Sequence, residues 1–107
     1  MPSRTPNLQD IYGGDGVHLV KFSSPTCGPC KVAAAVVDRM SADDRFSDVN
    51  FWEVNVADPT NGELVRQLNI RSVPVIVVVK DGENRNIIVG GEVTDTAIED
   101  TLLALTD

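Results

Sequence analysis

The chain has 107 residues, 42% of them hydrophobic, and carries 16 acidic against 9 basic side chains for a formal charge of −7. That length fits one compact domain, residues 1–107, able to bury a core without disulfide staples. The charge excludes a nucleic-acid or anionic-membrane surface, and no apolar run approaches the roughly 20 residues of a membrane-spanning helix.

Residues 1–16 are polar and rich in Pro and Gly, so they read as poorly structured or, through Leu8, Ile11 and Tyr12, as a short helix. No apolar h-region is visible, so no signal peptide is expected and the default location is the reducing cytoplasm. Val17 to Phe22 reads as a strand and Ser23 to Thr26 as a loop. From Gly28 the period turns helical, with Ala33, Val36, Val37 and Met40 on one face. Pro29 suits the first helical turn, which puts Cys27 at or beside the N-cap. Ser41 to Asp48 is a connector, Val49 to Val56 a second strand, Ala57 to Gly62 a turn, and residues 61–69 a short helix on Leu64, Val65 and Leu68. The apolar run Pro74 to Val79 marks a strand covered on both faces. Lys80 to Glu83 reads as a turn and Asn86 to Val89 as the returning hairpin strand. Thr94 or Thr96 caps a last helix whose buried side holds Ala97, Ile98, Thr101, Leu102 and Leu105. Trp52 reads as a core aromatic and His18 as a surface residue.

Only two cysteines are present, in Cys27-Gly28-Pro29-Cys30. A thiol attacks a disulfide as its thiolate. Free N–H groups and the dipole at a helix start stabilise that negative charge. Cys30, one turn on, lies within reach of the Cys27 sulfur, while Gly28 and Pro29 keep the turn tight and leave the approach open. Cys27 would attack a target disulfide, and Cys30 would resolve the mixed disulfide. Two cysteines could also be half of a zinc site, but tetrahedral zinc needs four ligands and only His18 is left to add. A metal or cluster bridging two copies of the motif in a dimer stays open.

These residues resemble the thioredoxin family. The strand leading into Thr26-Cys27-Gly28-Pro29-Cys30-Lys31 and its helix is similar to that family's active-site segment. Asn69-Ile70-Arg71-Ser72-Val73-Pro74, followed by the apolar strand and Lys80-Asp81-Gly82, is similar to its second signature. The resemblance implies an α/β thioredoxin-like fold, a central mixed sheet of four or five strands flanked by helices. It implies a protein-disulfide reductase with a redox-active disulfide and no other cofactor or metal. Its partners would be disulfide-containing proteins and a thioredoxin-reductase-type electron donor, with the chain a monomer. It also implies a cis Val73-Pro74 bond facing the active site, with Val73, Pro74, Val89, Gly90 and Gly91 forming the substrate-docking surface.

The chain departs from the family pattern in ways that bear on chemistry. Thr26 stands where Trp is usual, so the docking surface lacks a large apolar anchor. Lys21 stands where a buried Asp is usual, and Glu53 where its Lys partner is usual. The charges look exchanged, and a reversed Lys21–Glu53 ion pair is expected because an unpaired buried Lys is expensive. A buried ammonium near the thiols would lower their pKa and make the protein less reducing than is typical. Residues 1–7 make a poor strand, so the first edge strand is expected to be missing, and Ala35 replaces a helix-kinking Pro. A non-catalytic adaptor that uses the same fold to bind a partner is the alternative of a different class.

Overall fold

The computed structural model describes residues 6–106. The elements are α1 (Leu8–Tyr12), β1 (Val17–Ser23), α2 (Gly28–Ser41), β2 (Asn50–Asn55), α3 (Gly62–Gln67), β3 (Val75–Lys80), β4 (Glu83–Val89) and α4 (Asp95–Thr106). The sheet has four strands in the order β2-β1-β3-β4. β1 runs parallel to β2 and antiparallel to β3, and β3 and β4 form an antiparallel hairpin. The first half is a βαβ crossover and the second closes with local pairing, as the alternation of periods implied. Among the described residues no strand precedes β1, and residues 1–5 of the segment expected to lack one lie outside them.

Burial follows the two-residue period of the strands. Val17 and Leu19 of β1, with Ile76 and Val78 of β3, pack against Val36, Val37 and Met40 of α2 and Ile98 and Leu102 of α4. Val20 and Phe22, with Val77 and Val79, pack on the other face against Ile11 of α1 and Leu64 of α3. By the same period Lys21 points to the α2 side.

α1 is a single short turn of helix held by a reciprocal cap. Asn7 Oδ1 accepts from the Asp10 N–H at 2.8 Å, and Asp10 Oδ2 accepts from the Asn7 N–H at 3.0 Å. α2 continues unbroken through Ala35. Of the two threonines offered for α4, Thr94 does the capping: its Oγ1 accepts from the Ala97 N–H at 3.1 Å.

Three expectations need correction. β4 begins at Glu83, not Asn86, because the turn is the two residues Asp81 and Gly82. Both have positive φ, 52° and 85°, the pattern of a tight hairpin turn matched to strand twist. α3, expected over 61–69, stops at Gln67, and Leu68 and Asn69 form its exit, with Asn69 at φ 56°. His18 is buried, not on the surface. β1 is a central strand covered on both faces, and His18 Nδ1 accepts a hydrogen bond from Trp52 Nε1 at 3.0 Å.

Candidate active site

One end of the sheet collects the chain's reactive and docking segments. β1 ends at Ser23, four residues before Cys27, and Phe22 is registered opposite Val75, the first residue of β3. Val75 is in turn opposite Val89, the last residue of β4. Cys27, Val73-Pro74 and Val89-Gly90-Gly91 therefore all follow or precede strand ends on the same side. The Val73-Pro74 bond is cis, Pro74 is buried and Val73 half-buried. The Gly90 N–H donates to the Pro74 carbonyl at 2.9 Å, tying two of these segments together. Gly90 has φ 58°, a conformation that favours glycine. A Cβ at Gly91 or at Gly28 would meet nothing within 4 Å, so the backbone there borders open space.

Cys27 is the N-cap of α2, extended at φ −90° and ψ 107°, with Pro29 in the first turn. Its sulfur accepts from the Cys30 N–H at 3.2 Å, one of the donors that a helix start leaves free. Cys27 and Cys30 are joined as a disulfide with Cα atoms 5.3 Å apart. Cys27 is half-buried, whereas Cys30 is 5% exposed. Of the two bonded cysteines, Cys27 is thus the more open to solvent. Thr26 before the pair and Pro29 between its members are exposed.

Beside the disulfide lies an open cavity of about 290 Å³ lined by Cys27, Cys30, Lys21, Glu53, Ser23, Ser24, Pro25, Lys31, Ala34 and Asn55. Lys21 and Glu53 are directly registered across the parallel β1–β2 pair. Lys21 Nζ sits 3.0 Å from Glu53 Oε2, with side-chain exposures of 5% and 44%. The expected reversed ion pair is present, and both its members line the same cavity as Cys27 and Cys30. Six of the lining residues, Ser23, Ser24, Pro25, Lys31, Ala34 and Asn55, are not among the site residues expected from the sequence. Asn55 was legible in principle, two residues beyond Glu53 on the same strand face. Its backbone carbonyl accepts from Nδ2 of Asn61, a buried polar residue, at 2.9 Å. Among the described residues, no group of three or more His, Cys, Asp or Glu converges to hold a metal ion. No helix among them is long and apolar enough to cross a membrane.

The thioredoxin family model matches residues 7–104. The chain belongs to the thioredoxin family. It is 38% identical over 85 residues to thioredoxin 1 of Synechococcus elongatus, covering 78% of this chain and 75% of that one. It is 32% identical over 94 residues to the thioredoxin of Porphyra purpurea, covering 88% and 84% of the two chains. A mutant thioredoxin from Halobacterium salinarum superposes with a TM-score of 0.82 at 24% identity, over 99% of this chain and 91% of that one, a likeness of fold. Family and bonded Cys27–Cys30 pair together make this thioredoxin a thiol–disulfide oxidoreductase.

Proposed function

We propose that this thioredoxin reduces disulfides of target proteins, with Cys27 as the attacking sulfur and Cys30 as the resolving one. The observation that carries this order is the contrast between half-buried Cys27 at the helix N-cap and Cys30 at 5% exposure. The Cys27 thiolate attacks one sulfur of the target disulfide, and the other target sulfur leaves as a thiolate that takes up a proton. Cys30 loses its proton and attacks Cys27, forming the intramolecular disulfide and releasing the second target sulfur. Two electrons pass to the target, and the disulfide supplies the redox chemistry with no other cofactor.

Val73, Pro74, Val89, Gly90 and Gly91 form the docking surface, where an extended target segment pairs with the Val73 backbone. Their shared place at the disulfide end of the sheet supports this. Thr26, Gly28 and Pro29 shape the entrance. With Thr26 in place of an aromatic anchor, protein targets bind weakly, and Thr26→Trp is expected to lower KM for a protein disulfide severalfold. The electrons come from a thioredoxin-reductase-type flavoenzyme, which places the protein in electron transport. Both cysteines sit in the exchangeable pair and neither staples the core, which favours a reducing, cytoplasmic setting. The most exposed large apolar side chains, Val32, Ile87, Val89 and Leu103, are divided among α2, β4 and α4, which favours a monomer.

The test is reduction of insulin disulfides with dithiothreitol, repeated with a thioredoxin reductase and NADPH. Acceleration in both is expected. Acceleration with dithiothreitol alone would remove the proposed donor. None in either would remove the reductase reading.

A further inference from the structure

Lys21 is a buried cation that the fold does not require. Its strand neighbours are Val20 and Phe22, and its cross-strand partner on β3 is Ile76. Apolar side chains of similar volume commonly replace buried ion pairs without loss of stability. The charge therefore calls for an explanation in its surroundings, and Lys21 lines one open cavity together with both redox cysteines. Its counter-charge is placed asymmetrically. Glu53 is 44% exposed against 5% for Lys21, so water screens the carboxylate far more than the ammonium. The other charged side chain lining the cavity, Lys31, is exposed.

We infer that the Lys21–Glu53 pair sets the balance between disulfide and dithiol, Lys21 drawing it towards the dithiol and Glu53 acting as the weaker counterweight. This rests on the Cys27/Cys30 redox cycle proposed above. Two electrons and one proton convert the neutral disulfide into one thiolate and one thiol. Dithiothreitol supplies those electrons as it closes to its cyclic disulfide and releases two protons, one of which the protein takes up. Only the reduced side carries a negative sulfur, so a nearby ammonium stabilises that side and a nearby carboxylate opposes it. Lys21 and Glu53 act as positioning residues for charge and take no part in bond exchange.

The experiment is the equilibrium of the full chain with dithiothreitol redox buffers at pH 7, read by alkylation and mass. Lys21→Met should move the equilibrium about three- to tenfold towards the disulfide, where tenfold corresponds to about 30 mV. Glu53→Gln should move it about threefold towards the dithiol. The double variant should fall between the two, and Lys21→Arg should stay within about twofold of the native protein. Single variants that shift in the same direction, or that both stay within twofold, would overturn the inference. Should Lys21→Met fail to fold, Glu53→Gln alone decides: no shift, or a shift towards the disulfide, refutes it. A native protein that never cycles would instead sink the redox reading itself, and this inference with it.

Discussion

The inner and outer ion pairs of this protein are alike in length and opposite in setting. Lys21–Glu53 spans 3.0 Å with one end buried beside the disulfide. Arg39–Asp95 at 2.9 Å, and Arg45 at 2.7 Å from Asp43 and 2.6 Å from Glu99, lie on the α2–α4 side with partly to well exposed side chains. The outer contacts are the shorter ones, yet water and salt screen them, and exposed pairs contribute little. The longer inner pair is the one whose disruption leaves a charge inside the protein. Distance alone says little about what an ion pair does; surroundings decide it.

The largest effect expected from breaking this contrast is on stability. Glu53→Ala strands the Lys21 ammonium in the interior. Urea unfolding of the oxidised protein should show a loss of about 2 kcal/mol, less than for a fully buried pair because Glu53 is part-exposed. The double change Lys21→Met, Glu53→Gln should recover most of that loss. If the double variant is as unstable as Glu53→Ala, the buried charge is not the cause.

A smaller effect sharpens the comparison within the cavity. Lys31 shares its lining with Lys21 but is exposed. Lys31→Gln should change the dithiothreitol equilibrium by less than about twofold, because solvent screens it. A shift as large as that of Lys21→Met would show that burial is not what gives Lys21 its influence.

The exposed carboxylates supply the smallest effects. Hydrogen bonds from the Arg45 side chain and backbone hold the Asp43 carboxyl below its ordinary value. The Asp58 carboxyl is lowered chiefly by the Thr60 backbone N–H, with help from the Thr60 hydroxyl. A carboxylate depressed in the folded state adds stability above its unfolded pKa, near 4, and loses it as pH falls through the lower folded value. Denaturation midpoints should therefore decline shallowly below about pH 4. Asp43→Asn should flatten that decline slightly. Added salt should erase more of the Asp43 part than of the Asp58 part, whose partners are a backbone group and a neutral hydroxyl. Arg45→Gln should leave the midpoint at neutral pH and high salt unchanged within error.

What the sequence makes legible follows the reach of its signals. The Cys27–Cys30 pair and its N-cap depend on residues within one turn, so spacing alone finds them. The Lys21–Glu53 pairing spans two strands, but it follows once those strands are aligned in parallel register by the family resemblance. His18 shows where this stops. Its hydrogen-bond partner Trp52 lies across the β1–β2 ladder, and nothing near His18 in the chain signals that partner. The early start of β4 is hidden for another reason. Glu83 to Asn86 are exposed on an edge strand and polar, so they carry turn-like composition while pairing as strand. Asn61 is a third case: its burial is explained by a single carbonyl, that of Asn55, at the end of a neighbouring strand.

The central claim is that the half-buried sulfur at the start of α2 makes the first bond with a target. It is tested most directly by trapping. Cys30→Ser protein, reduced and then mixed with a disulfide-containing protein, should accumulate a covalent adduct through Cys27 that dithiothreitol releases. Cys27→Ser should give none. An adduct through Cys30 instead, or no adduct with either variant, would contradict the account.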